Sequence, residues 1–147
     1  MSDEEIIKQA IKILESRLRE PEAYFRSSKD TNTFLKLHFN GLEHESFRIM
    51  FLDNQHGMIA IEEISRGTID GAAIYPREVV KATLAFNAAA VIFAHNHPSG
   101  CTQPSQADIA ITRRLQSALS TIDVRTLDHI IIGGSHTYSF AENHLIN

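Results

Sequence analysis

Two histidines, His95 and His97, follow an apolar run from Ala89 to Ala94 (AAVIFA) that has the composition of a buried strand. Side chains alternate across a strand, so residues two apart project to the same side and both imidazoles can reach one point. Such convergence is what a metal ion requires, and neutral imidazole is a common zinc ligand. Eleven residues beyond His97 stands Asp108, and three before it Ser105 reads as a helix N-cap. Helical spacing then puts Asp108 in the first turn, near the face that carries Ile111 and Leu115. A carboxylate turned toward a core is costly unless it is hydrogen-bonded or paired with a cation, and a divalent metal supplies that partner. Two His and one Asp leave a four-coordinate zinc one open position for water, the layout of a hydrolytic centre and not of a closed structural site. Hydrolysis also needs a carboxylate to take the proton of that water and deliver one to the leaving group. Glu43, Glu45, Glu62 and Glu63 lie upstream as candidates.

Singly, these features are ordinary. An isolated His-x-His is commonly a pair of loop histidines, Ser105 and Asp108 alone are a plain helix start, and Pro98-Ser99-Gly100 alone is a turn. Their order carries the specificity: a strand end, His-x-His, a Pro-Ser-Gly loop, then Ser-x-x-Asp opening a helix.

The elements that must position these residues can be read around them. Ser2 and Glu5 form a capping-box pattern, and Ile7, Ile11, Leu14 and Leu18 at helical spacing predict a helix to about Arg19. Pro21 ends it and opens a short helical stretch over Glu22 to Phe25, followed by a loop with a cap at Asp30 and a helix over Thr31 to Asn40. Phe47 to Leu52 (FRIMFL) has the apolar character of a central strand, and Asp53 to Gly57 turns it into a second strand, Met58 to Ile64. A third short strand is expected over Thr68 to Tyr75, before Pro76 opens a helix over Val79, Val80, Leu84 and Phe86. The helix begun by Ser105 has the expected inward stripe Ile111, Leu115, Ala118 and Ile122. Arg125 to Ile132 and Thr137 to Phe140 are strands joined at Gly133-Gly134. Strands interleaved with helices indicate an α/β domain of two or three layers.

Composition bounds the function further. The 147 residues suit one domain, and 43% hydrophobic with 22% charged residues is close to the soluble globular average. A formal net charge of −4 gives no electrostatic footprint for holding nucleic-acid phosphates. Cys101 is the single cysteine, which excludes an internal disulfide and any zinc site built mainly from thiolates. Acidic residues at Asp3, Glu4 and Glu5 and the lack of a long apolar run predict neither a secretory signal nor a membrane span, and a cytoplasmic location is expected. Of the eight histidines, His129 reads as a satisfied core or sheet histidine, with a supporting partner to the metal ligands as the alternative, and His38, His44, His56, His136 and His144 are assigned no chemistry. Arg113 and Arg114 read as a solvated face, and Cys101, four residues after His97, is within reach of the metal as a soft ligand although a loop cysteine needs no role.

The segment His95-Asn96-His97-Pro98-Ser99-Gly100, followed by Ser105-Gln106-Ala107-Asp108, resembles the JAMM (MPN-plus) metalloprotease motif. Neighbouring words resemble the RadC branch of that family: FLDNQ at Phe51 to Gln55, EEISRGT at Glu62 to Thr68, YPREV at Tyr75 to Val79, AHNHPSG at Ala94 to Gly100 and LDHIIIG at Leu127 to Gly133. The resemblance runs from Gly41 to Glu142 and fills each core position of the metal motif in order. It implies a JAB/MPN (cytidine-deaminase-like) α/β fold, a mixed β-sheet with flanking helices, spanning residues 41–147 behind an N-terminal helical extension at 1–40. It further implies a Zn²⁺-dependent metallopeptidase acting on peptide or isopeptide-linked protein substrates. His95, His97 and Asp108 match the three metal ligands, and Ser105 matches the serine that helps stabilise the tetrahedral oxyanion. Glu45, two residues ahead of Phe47, occupies the place of the catalytic glutamate, with Glu43 in reserve. Longer members carry an N-terminal region of helix-hairpin-helix character; with only residues 1–40 in its place, a DNA-binding role is expected to lose its carrier.

Two other readings compete. A zinc nucleobase deaminase would show His-x-Glu and Pro-Cys-x-x-Cys, whereas here His97 stands two after His95 and no second cysteine exists. A catalytically inactive module, linked to a DNA-repair-associated context and docking a protein or nucleic acid, would keep the fold and the metal without turnover. The substrate would be selected by the loops Gly67 to Tyr75 and Cys101 to Pro104.

Overall fold

Ser2 caps the first helix as its pattern predicts: the hydroxyl accepts from the Glu5 amide at 3.2 Å, and Asp3, Glu4 and Glu5 occupy the first turn, where the helix dipole favours negative charge. In the computed structural model, which describes residues 1–67 and 74–146, this helix, α1, spans Asp3–Leu18. The short α2, Ala23–Arg26, follows Pro21, and α3 covers Ser28–His38. The cap of α3 is Ser27 and not Asp30. The Ser27 hydroxyl accepts from the Asp30 amide at 3.3 Å, which makes Asp30 the third helical residue and starts the helix earlier than its apolar spacing suggests.

Strand β1, Ser46–Leu52, and β2, Met58–Arg66, form an antiparallel hairpin, and the Asp53 carboxylate accepts from the amides of Gln55 and Gly57 to shape its turn. Pro76 opens α4, Pro76–Ala85, and β3 is Ala90–Asn96. Helix α5, Gln106–Ser120, then leads to β4, Arg125–Gly133, and β5, His136–Ser139. The strand expected over Thr68 to Tyr75 falls on residues 68–73, outside the described residues; Ile74 and Tyr75 lie in no strand. The sheet order is β2-β1-β3-β4-β5, with β3 and β4 parallel across α5 and the other pairs antiparallel. Among the described residues, no helix is long and apolar enough to cross a membrane.

Alternation divides the strands between two cores. Met50, Leu52, Ile92, Ala94, Ile130 and Ile132 meet Leu14, Leu18, Phe34, Leu35 and Phe39 of the N-terminal helical layer. Phe47, Ile49, Phe51, Val91 and Phe93 turn the other way onto Val79 of α4 and Ile111, Leu115 and Leu119 of α5. Leu119 takes the place expected for Ala118, because buried positions on α5 recur at four-residue steps with Asp108 and Thr112 alongside, while Ile122, just beyond the helix, packs partly buried against the same core. The result is a sheet covered by helices on both faces, a mixed α/β architecture.

Polar contacts join the N-terminal helices to the sheet. The Asp128 carboxylate, 1% exposed, accepts from Tyr24 Oη at 2.8 Å, Ser139 Oγ at 2.7 Å, and the amides of His129 and Ala141. Burial, reinforced by the Asp128 charge, raises the Tyr24 hydroxyl above its ordinary pKa. Arg48 of β1 stacks over Phe39 at 4.6 Å and donates to the His38 carbonyl at 2.9 Å and to His38 Nδ1 at 2.6 Å. Arg48 has no lone pair to offer, so His38 Nδ1 is the acceptor. Burial, with the Arg48 charge behind it, lowers the His38 pKa from 6.5 to about 4.

A histidine with a depressed folded pKa stabilises the fold fully above its unfolded value and loses that contribution as pH falls toward the folded one. Stability therefore falls between pH 6.5 and about 4 in part through His38. The slope of urea-derived stability against pH across that window is expected to be shallower in His38→Gln than in the parent protein; equal slopes would remove His38 from this role.

Candidate metal centre

The site forms where β3 runs out. The antiparallel register of β1 and β3 sets Phe47 opposite His95 and Arg48 opposite Ala94, so one step beyond the ladder brings Ser46 to Asn96 and the next brings Glu45 to His97. Glu45, His95 and His97 thus offer ligand atoms that lie within 4.8 Å of one another and could hold a metal ion.

Helix α5 delivers the fourth member. Its capping box is complete: the Asp108 amide donates to Ser105 Oγ at 3.0 Å, and the Ser105 amide donates to Asp108 Oδ2 at 2.8 Å. That reciprocal pair turns the Asp108 carboxylate back over the helix start, where Oδ1 lies 3.3 Å from His95 Nε2 and Oδ2 lies 3.1 Å from His97 Nε2. Asp108 is 2% exposed and His95 1%. Burial works to raise the Asp108 carboxyl, but the hydrogen bond with His97 and the neighbouring imidazoles overcome it and hold the group at about 2. Burial drives His95 down to about 4 against the pull of Asp108, while the hydrogen bond with Asp108 raises His97.

The residues fit a divalent cation on three observations. His95 Nε2 is buried without a hydrogen-bond partner although it faces a carboxylate. His97 Nδ1 lies 2.7 Å from the Cys101 carbonyl, which can only accept, so the ring hydrogen sits on Nδ1 and Nε2 is turned into the site. Donors about 2.0–2.1 Å from a tetrahedral zinc are about 3.3 Å from each other, close to the spacings of Asp108 to the two imidazoles. Cys101 itself is exposed, and what it contributes to the site is its carbonyl.

A cavity of about 560 Å³ opens over these groups, lined among others by Glu43, Glu45, His97, Ser105 and Asp108. Glu45 is half-buried and Glu43 exposed. Glu62 and Glu63 lie on the edge strand β2, where Glu63 binds Ser46 Oγ and Arg66 Nε, each at 2.6 Å. Ser105 is exposed, and its hydroxyl accepts one hydrogen bond, leaving its own hydrogen available to the cavity.

Sequence reasoning overlooked the roles of Asn96, Thr112 and Gly133 around this site, and ranked His129 as a core or sheet histidine ahead of a partner to the paired imidazoles. Asn96, between the two histidines, faces the opposite side of the sheet, accepts from the Ser46 amide at 2.7 Å and donates to the His44 carbonyl at 3.0 Å. It thereby holds the peptide on each side of Glu45, a role visible only once the register pairs 46 with 96. His129 is a satisfied core histidine and also the neighbour of His95: it is 0% exposed, and its Nε2 lies 3.1 Å from His95 Nδ1, while Thr112 Oγ1 lies 2.6 Å from its Nδ1. Gly133 passes so close to the loop after His97 that a Cβ there would stand 2.7 Å from the Gly100 carbonyl oxygen and 2.8 Å from Thr102 Cγ2. A Gly within an apolar strand, just before a second Gly, was the available signal, and it read as a turn.

A family model described as a RadC-like JAB domain matches residues 25–145. The UPF0758 protein YkfG of Escherichia coli (strain K12) is 49% identical over 144 residues, which cover 98% of this chain and 91% of that protein. A UPF0758 protein of Vibrio cholerae serotype O1 is 52% identical over 137 residues, 93% of this chain and 85% of its own. A UPF0758 protein of Marinobacter nauticus is 51% identical over 140 residues, 95% of this chain but 62% of its own length.

Asn96→Ala would leave the buried Ser46 amide without its acceptor, a loss of about 1–3 kcal/mol. Chemical denaturation is expected to show that loss, together with faster amide hydrogen exchange at Ser46; unchanged exchange there would mean that Asn96 does not hold the Glu45 segment.

Proposed function

The chain belongs to the RadC-like JAB domain family, and on that footing we propose that it is a metal-dependent hydrolase, a Zn²⁺ metallopeptidase or isopeptidase that cleaves amide bonds in protein substrates. The observation that carries this reading is a buried carboxylate and two imidazole Nε2 atoms converging beneath an open cavity, with a second carboxylate, Glu45, in the wall. A closed structural site would have no such opening.

His95 and His97 would hold the ion through Nε2 and Asp108 through its carboxylate. When bound, the metal supplies Lewis acidity, polarising a carbonyl and bringing the pKa of water to about 7. Between the two carboxylates the division of labour follows from their surroundings. Asp108 is buried with both oxygens directed at imidazoles and one also bound to the Ser105 amide, which suits a ligand. Glu45 is half-buried in the cavity wall, within reach of both substrate and His97, which suits proton transfer. Glu45 takes a proton from the attacking water and returns it to the departing amine, and Asn96 keeps its main chain in register while it does so. The Ser105 hydroxyl donates to the carbonyl oxygen as that atom gains negative charge. His97 is kept in place through its Nδ1 hydrogen by the Cys101 carbonyl.

Elemental analysis of purified His95→Ala and Asp108→Ala is expected to show loss of stoichiometric zinc; full occupancy in either would dismantle the ligand set. Glu45→Gln is expected to keep zinc and thermal stability while hydrolysis of peptide and isopeptide-linked test substrates falls by about 10²–10⁴. Turnover unchanged in Glu45→Gln rules this glutamate out as the base. A zinc-loaded parent protein that cleaves no peptide or isopeptide bond would favour the non-catalytic binding module instead.

A further inference from the structure

Resting on the metal reading above, we propose that Thr112 and His129 are positioning residues. A one-way chain of hydrogen bonds, from His95 through His129 and Thr112 to the Asp108 carbonyl, locks His95 in the tautomer whose Nε2 lone pair faces the site.

The proton positions follow from the far end of the chain, where no choice exists. The Asp108 carbonyl oxygen carries no hydrogen and lies 2.7 Å from Thr112 Oγ1, too close for two oxygens without a hydrogen between them. The single hydroxyl hydrogen of Thr112 therefore points at that carbonyl. Thr112 Oγ1 also lies 2.6 Å from His129 Nδ1, and with its hydrogen committed it must accept there. His129 then carries its ring hydrogen on Nδ1 and a lone pair on Nε2. That lone pair lies 3.1 Å from His95 Nδ1, which must be the donor. His95 is left with a lone pair on Nε2, the buried atom that has no hydrogen-bond partner and stands 3.3 Å from Asp108 Oδ1. For neutral rings, any other placement sets two lone pairs or two hydrogens against each other within the chain, among residues that are at most 2% exposed; in this one the opposed lone pairs are those of His95 Nε2 and Asp108 Oδ1, where a cation would sit between them.

The fold builds this chain from three elements. Thr112 lies four residues after Asp108 on α5, so its hydroxyl reaches the carbonyl one turn back. His129 sits on β4 opposite Phe93, one strand over and two residues short of His95. Phe140 stacks on the His129 ring at 4.4 Å, and Phe47 and Phe93 meet it edge-on at 5.7 and 5.9 Å, so aromatic surface rather than water surrounds the ring. The chain starts at one ligand and ends on the main chain of another, which couples the orientation of His95 to the helix that carries Asp108.

Thr112→Val keeps the side-chain shape and removes only the oxygen. His129 then has no acceptor for its Nδ1 hydrogen, and a hydrogen moved to Nε2 would oppose the His95 Nδ1 hydrogen and turn the His95 lone pair away from the site. Competition with a chromogenic chelator is expected to give a zinc dissociation constant about 10- to 100-fold weaker in Thr112→Val, and near the parent value in Thr112→Ser, which restores the hydroxyl. Parent-like zinc affinity in a folded Thr112→Val protein would overturn the proposal. Long-range proton–nitrogen correlation spectra of the zinc-free parent protein, at a pH where these rings are neutral, supply a readout that needs no variant. Both His95 and His129 are expected as Nδ1–H tautomers, and His95 found as Nε2–H would overturn the chain. A parent protein that binds no zinc would defeat the metal reading, whereas the spectra would still decide the tautomers.

Discussion

The Asp108 carboxylate places a negative charge 2% exposed at the head of a helix, with two imidazoles within 3.3 Å. Removing a charge from water costs several kcal/mol even after the protein relaxes, so the surroundings must answer it with positive charge. A proton on His97 or a metal ion bridging the group meets the same demand, and the upward displacement of His97 and downward displacement of Asp108 are its electrostatic expression. His95 cannot answer in the same way, because burial opposes its protonation. The arrangement therefore suits a cation that all three side chains could share, and metal uptake at such a site would be linked to release of whatever proton His97 holds.

Around that charge the sheet separates chemistry from scaffolding by parity. On the face toward α4 and α5 stand His95, His129 and the aromatic residues Phe47 and Phe93, which place the ring nitrogens in an apolar setting. On the face toward α1 to α3 the intervening Asn96 ties β3 to the segment that carries Glu45. The end of β3 thus turns His95, a proposed ligand, to one side and braces the proposed base from the other. The close passage of Gly133 beneath Gly100 adds a steric limit on the same loop, since the carbonyl that holds His97 belongs to the next residue, Cys101.

The N-terminal helices are part of this support. Leu14, Leu18, Phe34, Leu35 and Phe39 share a core with β1, β3 and β4, and Arg48 and Asp128 fasten α3 and α2 to the strands through partly buried polar contacts. Arg48 also contacts Ser46 Oγ at 2.9 Å, one residue from Glu45, so the end of α3 reaches the edge of the site through two side chains. Burial of a charged guanidinium is tolerated because Glu63 lies 3.7 Å away and the Phe39 ring covers its face.

Much of this was legible in the chain itself because it rests on local rules. The period of two along Ala90–Asn96 puts His95 and His97 on one side, and the spacing of Ser105 and Asp108 specifies a capping box that aims a carboxylate inward. The mixed α/β character follows from apolar runs and turn residues, and errors such as the cap of α3 arose where two polar residues competed for one helix start. What depended on tertiary structure is every contact between distant segments. Strand register decides that Glu45, and not Glu62 or Glu63, meets His97, because a shift of one residue would turn every side chain to the other face. The parallel pairing of β3 with β4 decides that His129 lies against His95, and the seating of α5 decides that Thr112 closes that contact. Local chemistry can name the donors, but hydrogen-bond partners 17, 34 and 50 residues apart are chosen by packing, which no local pattern encodes.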